Sequence, residues 1–223
     1  APDDMCGPAL VGALLALGCV LLLSRRHGAL DPVTLILGGV IVGAIASAGS
    51  TVAEALLPPE RRGLLTGWLF GRIPEVPDMG SLAACAAAAL GLTGLGAAWG
   101  NRLDGAALSD DEARSIGIAL GPMRTAMFIG CGVATAATVA LCGPIAFVGL
   151  LAPHCARALV GARNRMLVPG AAVAGAGLLT AADALRQWID IGGGRLPLGA
   201  VTAVFGGVAF LVLLRRTAAG WMA

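Results

Sequence analysis

The chain has 223 residues, of which 57% are apolar and only 13% charged, with a mean hydropathy of +0.86 and a formal net charge of +2. Soluble domains carry roughly 45–50% apolar and about 25% charged residues, so this composition excludes an ordinary water-soluble globule and calls for a bilayer as solvent. The near-neutral charge provides no basic field for nucleic acid, although all 15 basic residues are arginine.

The opening residues, Ala1-Pro2-Asp3-Asp4, include neither an initiator Met nor a basic n-region, unlike a signal peptide. They read as a polar loop entering an apolar run, and an N-terminal part of the natural chain is expected to be missing. Crossing about 30 Å of hydrocarbon takes roughly 20 residues of helix. Runs of that kind occur at Pro8–Ser24, Pro32–Leu57, Met79–Trp99, Arg124–Cys142, Met166–Leu185 and Pro197–Leu214. Val148–Val160 is apolar but too short to cross alone, and belongs inside a bundle where it need not face lipid. The runs are continuous, not alternating, which predicts helices and argues against barrel strands. The expected fold class is all-α, a polytopic transmembrane helical bundle forming one domain over residues 1–223. Glycine pairs such as Gly39/Gly43, Gly67/Gly71 and Gly96/Gly100 have the small-xxx-small spacing that allows helices to approach closely in lipid.

Two connections stand out. In the stretch 101–123, Ser109 is a good N-cap, Glu112 stands at its capping-box position, and Asp110 and Asp111 fill an acidic first turn. A short helix ending near Gly117 is predicted there. Pro58–Asp78 reads as a loop carrying Arg61, Arg62 and Trp68, with the indole suited to the headgroup level. Counting alternate loops puts ten arginines (25, 26, 102, 114, 124, 157, 163, 165, 215 and 216) on one side and five (61, 62, 72, 186 and 195) on the other. The positive-inside rule makes the first side cytoplasmic, with the C-terminus inside and the first residue outside.

The sequence offers little catalytic chemistry. There is no GxxxxGK[ST] and no lysine to complete one, so this chain does not cradle ATP phosphates by that route. His27 and His154 have no second ligand at metal spacing, and no GxSxG elbow accompanies them. Neither a catalytic residue, a metal site nor a cofactor is expected. The six cysteines (Cys6, Cys19, Cys85, Cys131, Cys142, Cys155) are scattered through apolar runs and read as small buried side chains. Glu54 and Asp183 lie towards helix ends, where structural pairing is the simpler role; no acid or histidine sits mid-membrane, which weighs against an ion-coupled carrier.

The stretch from Gly143 to Arg157, with Gly143, Pro144, Phe147, Gly149, Pro153, His154 and Arg157 at the signature positions, closely resembles the GPIxFVGLxxPHxxR motif of the FecCD-type permeases of siderophore, haem and vitamin B12 importers. Leu167–Gly170, Ala182-Asp183, Leu196–Ala203, Leu108–Gly117, Leu37–Val40 and Gly67–Gly71 resemble further segments of that family in order. The resemblance implies a vitamin B12/siderophore ABC importer bundle with about seven of the family's ten helices, the first three being absent. It also implies an inner-membrane, multi-pass permease that is not itself an enzyme. The implied partners are an ABC ATPase subunit, a periplasmic substrate-binding protein, a second permease copy and the lipid bilayer. Residues 101–123 would form the cytoplasmic coupling loop, its contact being Leu108, Ser109, Asp110, Asp111, Glu112, Ala113, Arg114, Ser115, Ile116 and Gly117. Arg186 is the best carry-over for docking the binding protein, although its spacing from Asp183 is one residue short of the family's; Arg61 and Arg62 are weaker, as is Arg72. A secondary transporter, an intramembrane enzyme and a truncated inactive permease are the alternatives.

Overall fold

The computed structural model describes residues 3–26, 29–73, 79–189 and 196–220. His27, Arg195 and the end of the 58–78 connection, residues 74–78, lie outside the described residues. In chain order the elements are α1 (Asp3–Leu23), β1 (Arg25–Arg26), β2 (Ala29–Leu30), α2 (Pro32–Leu56), α3 (Pro59–Leu69), α4 (Met79–Ala98), α5 (Gly100–Ala106), α6 (Asp110–Ser115), α7 (Leu120–Cys142), α8 (Val148–Val160), α9 (Asn164–Trp188) and α10 (Leu198–Gly220). The two-residue strands pair antiparallel and close the turn between α1 and α2. Helices α2, α4, α7 and α9 are long and apolar enough to cross a membrane. The apolar stretches Gly7–Leu23, Val148–Val160 and Leu198–Leu213 are shorter. Residues 59–69, read from sequence as loop, are helical: Pro59 occupies the first helical turn, where a missing N–H costs nothing.

Side-chain hydroxyls on these helices find partners within their own helix, as an apolar solvent favours. Hydroxyls of Ser50, Thr51, Thr125, Thr135, Thr138 and Thr180 each bond a carbonyl one turn back on the same helix. Asp31 caps α2 by accepting the Thr34 N–H at 2.9 Å, with Pro32 at the first helical position. Along α2 apolar side chains are exposed, among them Ile36, Val40, Ile45 and Leu56. Such a surface is wet only at high cost and suits lipid or a partner.

The chain divides into two compact units: the first comprises Ala1–Thr66, Asp78–Leu92 and Gly105–Leu141, the second Gly67–Pro77, Thr93–Asp104 and Cys142–Ala223. In the first, Gly38 of α2 meets Val20 and Ser24, and Gly132 of α7 meets Leu17 of α1. In the second, α8 and α9 form a tight hairpin through the turn 161–163. A ridge at four-residue spacing on α8 (Val148, Ala152, Ala156, Val160) lies against Gly170 and Gly175 of α9. Where no hydrophobic effect separates helix from lipid, such small-residue contact is what holds helices together.

Candidate functional site

Between α5 and α7 the chain makes a short, exposed hook. Ser109 is extended and caps α6: its Oγ accepts the Glu112 N–H at 3.4 Å, and the Glu112 carboxylate accepts the Ser109 N–H at 3.2 Å and its hydroxyl at 2.8 Å. Both halves of the capping box are therefore made. Ala113 is fully buried and anchors the helix; Leu108, Ser109, Asp110, Asp111, Glu112, Arg114, Ser115, Ile116 and Gly117 are all exposed. Gly117, at φ 80°, ends the helix, as its N–H bonds the Arg114 carbonyl and the Ile118 N–H bonds that of Ala113.

One ion pair fixes this hook to the next helix. Arg124, the fifth residue of α7, donates to both carboxylate oxygens of Asp110, at 2.7 and 3.3 Å. That two-pronged bond from Arg124 holds the Asp110 carboxyl below its ordinary range. Glu112 is lowered too, chiefly by the Ser109 hydroxyl and then by its N–H. Arg114 and Asp111 form a looser exposed pair at 3.8 Å. From sequence Arg124 is one arginine among ten on its side; its partner lies 14 residues away across a turn, beyond any local spacing rule. A second such link ties α5 to α9: the Asp104 carboxylate accepts the Asn164 N–H at 2.9 Å and its amide at 2.8 Å, capping a helix whose own N-cap, Arg163, cannot.

The signature residues assemble a different feature, in the second unit. Segments 68–72, 142–147 and 196–199 cross with their backbones in contact. The Arg72 N–H bonds the Cys142 carbonyl at 2.7 Å, and the Gly199 N–H bonds the Phe70 carbonyl at 3.0 Å. A Cβ on Gly143 would lie 2.3 Å from the Trp68 carbonyl oxygen, one on Gly71 2.5 Å from that of Pro144, and one on Gly199 2.3 Å from that of Phe70. Gly71 and Gly143 also have φ of 69°, which an L side chain resists. Phe147 adopts φ 65° all the same, and its ring lies over Gly206 and Gly207 of α10.

The rest of the signature runs along α8 and does not converge on one point. The His154 Nδ1 lies 2.7 Å from the Leu150 carbonyl, Arg157 is exposed in the last turn, and among the described residues nothing lies within 4 Å of where a Cβ on Gly149 would stand. Pro153, inside α8, leaves the Gly149 carbonyl without its helical donor. Arg61 and Arg62 sit on α3. Arg62 bonds the carbonyls of Leu57 and Ala55 at 2.9 and 3.0 Å, closing the C-terminus of α2, and Glu54 accepts the Thr66 hydroxyl. Arg186 is paired with Asp183, which also accepts from Gln187, and its side chain is only 11% exposed. Arg72 is exposed.

Known proteins resemble this chain over most of its length. The vitamin B12 import system permease protein of Vibrio cholerae is 32% identical over 221 residues, covering 96% of this chain and 64% of the relative. The hemin transport system permease protein of Yersinia pestis is 30% identical over 209 residues, covering 93% and 61%. The Fe(3+)-citrate import system permease protein of Bacillus subtilis is 31% identical over 199 residues, covering 89% and 59%. The chain thus spans less than two thirds of the length of these relatives. A solved transporter assigned to the metal-chelate ABC type, in an inward-facing conformation, superposes with a TM-score of 0.80 over 95% of this chain and 73% of its own; at 24% identity, that likeness is one of fold. Residues 4–216 match the FecCD transport family, and the chain belongs to that family.

Proposed function

We propose that this chain is the membrane-spanning permease of a binding-protein-dependent ABC importer, which moves an iron-siderophore, haem or corrinoid across the bacterial inner membrane by ATP-driven alternating access. The chain itself is not an enzyme in this reading; hydrolysis belongs to a separate ATPase subunit. The observation that carries it is the hook at residues 108–117, on a chain whose family match runs from residue 4 to residue 216. The hook is rigid by capping and ion pairing, polar at its start, and exposes Leu108 and Ile116 at its two ends. A rigid exposed element joined to a long apolar helix can pass a push from a soluble motor into the membrane. The cluster of arginines on its side supports a cytoplasmic location, with the C-terminus also inside.

Partners follow from the same reading: an ATPase gripping Leu108–Gly117, a second permease copy, and a periplasmic binding protein on the opposite face. For the last, Arg61 and Arg72 are exposed and form no ion pair among the described residues, whereas Arg62 and Arg186 already hold partners within the chain. Residues 101–123 act as the coupling loop of a single permease domain. No role with nucleic acid is proposed.

The test is uptake by proteoliposomes holding this chain, its ATPase and its binding protein. Uptake that requires ATP and ignores collapse of ion gradients is expected. Uptake that survives without nucleotide and stops with the gradient would replace this reading by secondary transport. A folded complex that transports nothing would mean these residues do not suffice for the activity.

A further inference from the structure

One end of the second unit gathers positive charge that no carboxylate among the described residues pairs with. Gly100 at the start of α5 abuts the Arg165 backbone, where a Cβ would come within 2.5 Å of its nitrogen, and Asp104 of α5 caps α9 at Asn164. Arg102 sits on α5 between those two anchors, Arg163 and Arg165 flank Asn164, and Arg157 lies in the last turn of α8, one short turn before α9. All four arginines are exposed, and among the described residues none pairs with a carboxylate. Asp104, the carboxylate among them, is taken up by Asn164.

At the same place a cavity of about 380 Å³ opens, lined by Ala97, Ala98, Asn101, Arg165 and Met166. Its walls are of two kinds. Asn101 and Arg165 are polar donors. Ala97 and Ala98 end the apolar helix α4, and Met166 begins the apolar face of α9, which continues one heptad on to exposed Val173. Just above, Gly96 packs on Val168, so the cavity lies where α4 and α9 part. Trp99, at the junction of α4 and α5, is a residue type favoured at the depth of lipid headgroups. The positive-inside pattern accounts for arginines at this end; it does not account for a cavity lined by an arginine and an asparagine together with alanines and a methionine.

We infer that this cavity binds an anionic phospholipid, with its phosphate held by Arg165 and Asn101 inside the field of Arg102, Arg157 and Arg163, and an acyl chain lying along Met166 and Val173. Guanidinium groups suit phosphate oxygens through paired N–H donors, and basic pockets between membrane helices on the cytoplasmic side select such headgroups. The lining shares no residue with the hook at Leu108–Gly117, Asn101 and Arg102 stand at the start of the 101–123 connection, and the inference rests on the cytoplasmic placement proposed for that connection.

Native mass spectrometry of the detergent-solubilised full chain tests it, with phosphatidylglycerol and phosphatidylcholine of matched acyl chains as probes. Phosphatidylglycerol is expected to be retained about tenfold or more over phosphatidylcholine. Arg163→Ala/Arg165→Ala should bring that preference to within about twofold, while Arg165→Lys and, in the first unit, Arg25→Ala should keep most of it. Equal retention of both lipids by the parent chain overturns the proposal, as does a preference that survives the double substitution in protein of unchanged helix content. Millimolar inorganic phosphate that displaces the lipid completely would make this a free-anion site and overturn it as well. So would a double variant that loses the ATPase subunit from a co-purified complex while keeping its lipid preference, because the arginines would then belong to a protein interface.

Discussion

The crossing at Gly71, Gly143 and Gly199 and the hook at Leu108–Gly117 both carry the chain along an irregular path, and they hold it with different physics. At the crossing, backbone touches backbone, and three positions have no room for a single carbon. On the hook, ten successive residues include one that is buried, and shape comes from side chains reaching back to the backbone and across to Arg124. A steric constraint fails all at once. A polar constraint in water fails by degrees, since each bond exchanges with solvent for only a modest net gain. The second behaviour is the one that the proposed coupling role of the hook calls for.

The contrast predicts a graded series. Gly143→Ala should do most damage, because it adds a Cβ 2.3 Å from the Trp68 carbonyl oxygen at a φ of 69°. Backbone strain and overpacking together cost roughly 2–6 kcal/mol, and thermal unfolding in detergent should find little or no folded protein. If Gly143→Ala unfolds like the parent chain, the crossing is not the rigid element described. Ser109→Ala comes next: losing an N-cap costs about 1 kcal/mol, confined to α6, so amides 112–116 should exchange severalfold faster while global unfolding stays put.

Arg124→Ala should lower ATP-driven uptake by about two- to fivefold without loss of folded protein, in keeping with the modest worth of exposed ion pairs. The charge swap Asp110→Arg/Arg124→Asp should recover most of that uptake; failure of the swap would mean Arg124 acts by some route other than its pair.

The mildest perturbation is acid. Both Asp110 and Glu112 are held below their ordinary values of 3.8 and 4.5, so the folded hook binds fewer protons than the unfolded one. Their stabilisation is therefore complete above those ordinary values and is lost as pH falls through the lower, folded ones. A nitroxide at Ser115 should keep its mobility from neutral pH down to about pH 5 and loosen only in more acidic solution. Loosening between pH 7 and 5 would contradict the bonds described.

Much of this architecture was open to reading in advance, for physical reasons that differ by element. Val148–Val160 falls where hydropathy puts it, and α2 and α4 end within a residue of the expected runs, because lipid-crossing helices are bounded by charge and proline. The capping box at Ser109 is a local code and shows at three-residue spacing. Helix α3 was hidden because Pro58-Pro59 and paired arginines look like loop, although Pro59 starts a helix and Arg62 closes the one before. The links Asp110–Arg124 and Asp104–Asn164 join residues 14 and 60 positions apart, and only folding brings them together. The signature glycines were visible as a motif, but the reason for them was not: nothing in GPI or LPLG names the carbonyl each glycine must clear.

The central claim is that the hook faces the cell interior, where an ATPase can grip it. Replacing the six native cysteines and placing one at Asp110 allows a membrane-impermeant maleimide to report its side directly. Labelling is expected in inverted membrane vesicles and none in intact spheroplasts, with protection in the vesicles when the ATPase subunit is bound. Labelling of Asp110→Cys from outside intact spheroplasts would contradict it.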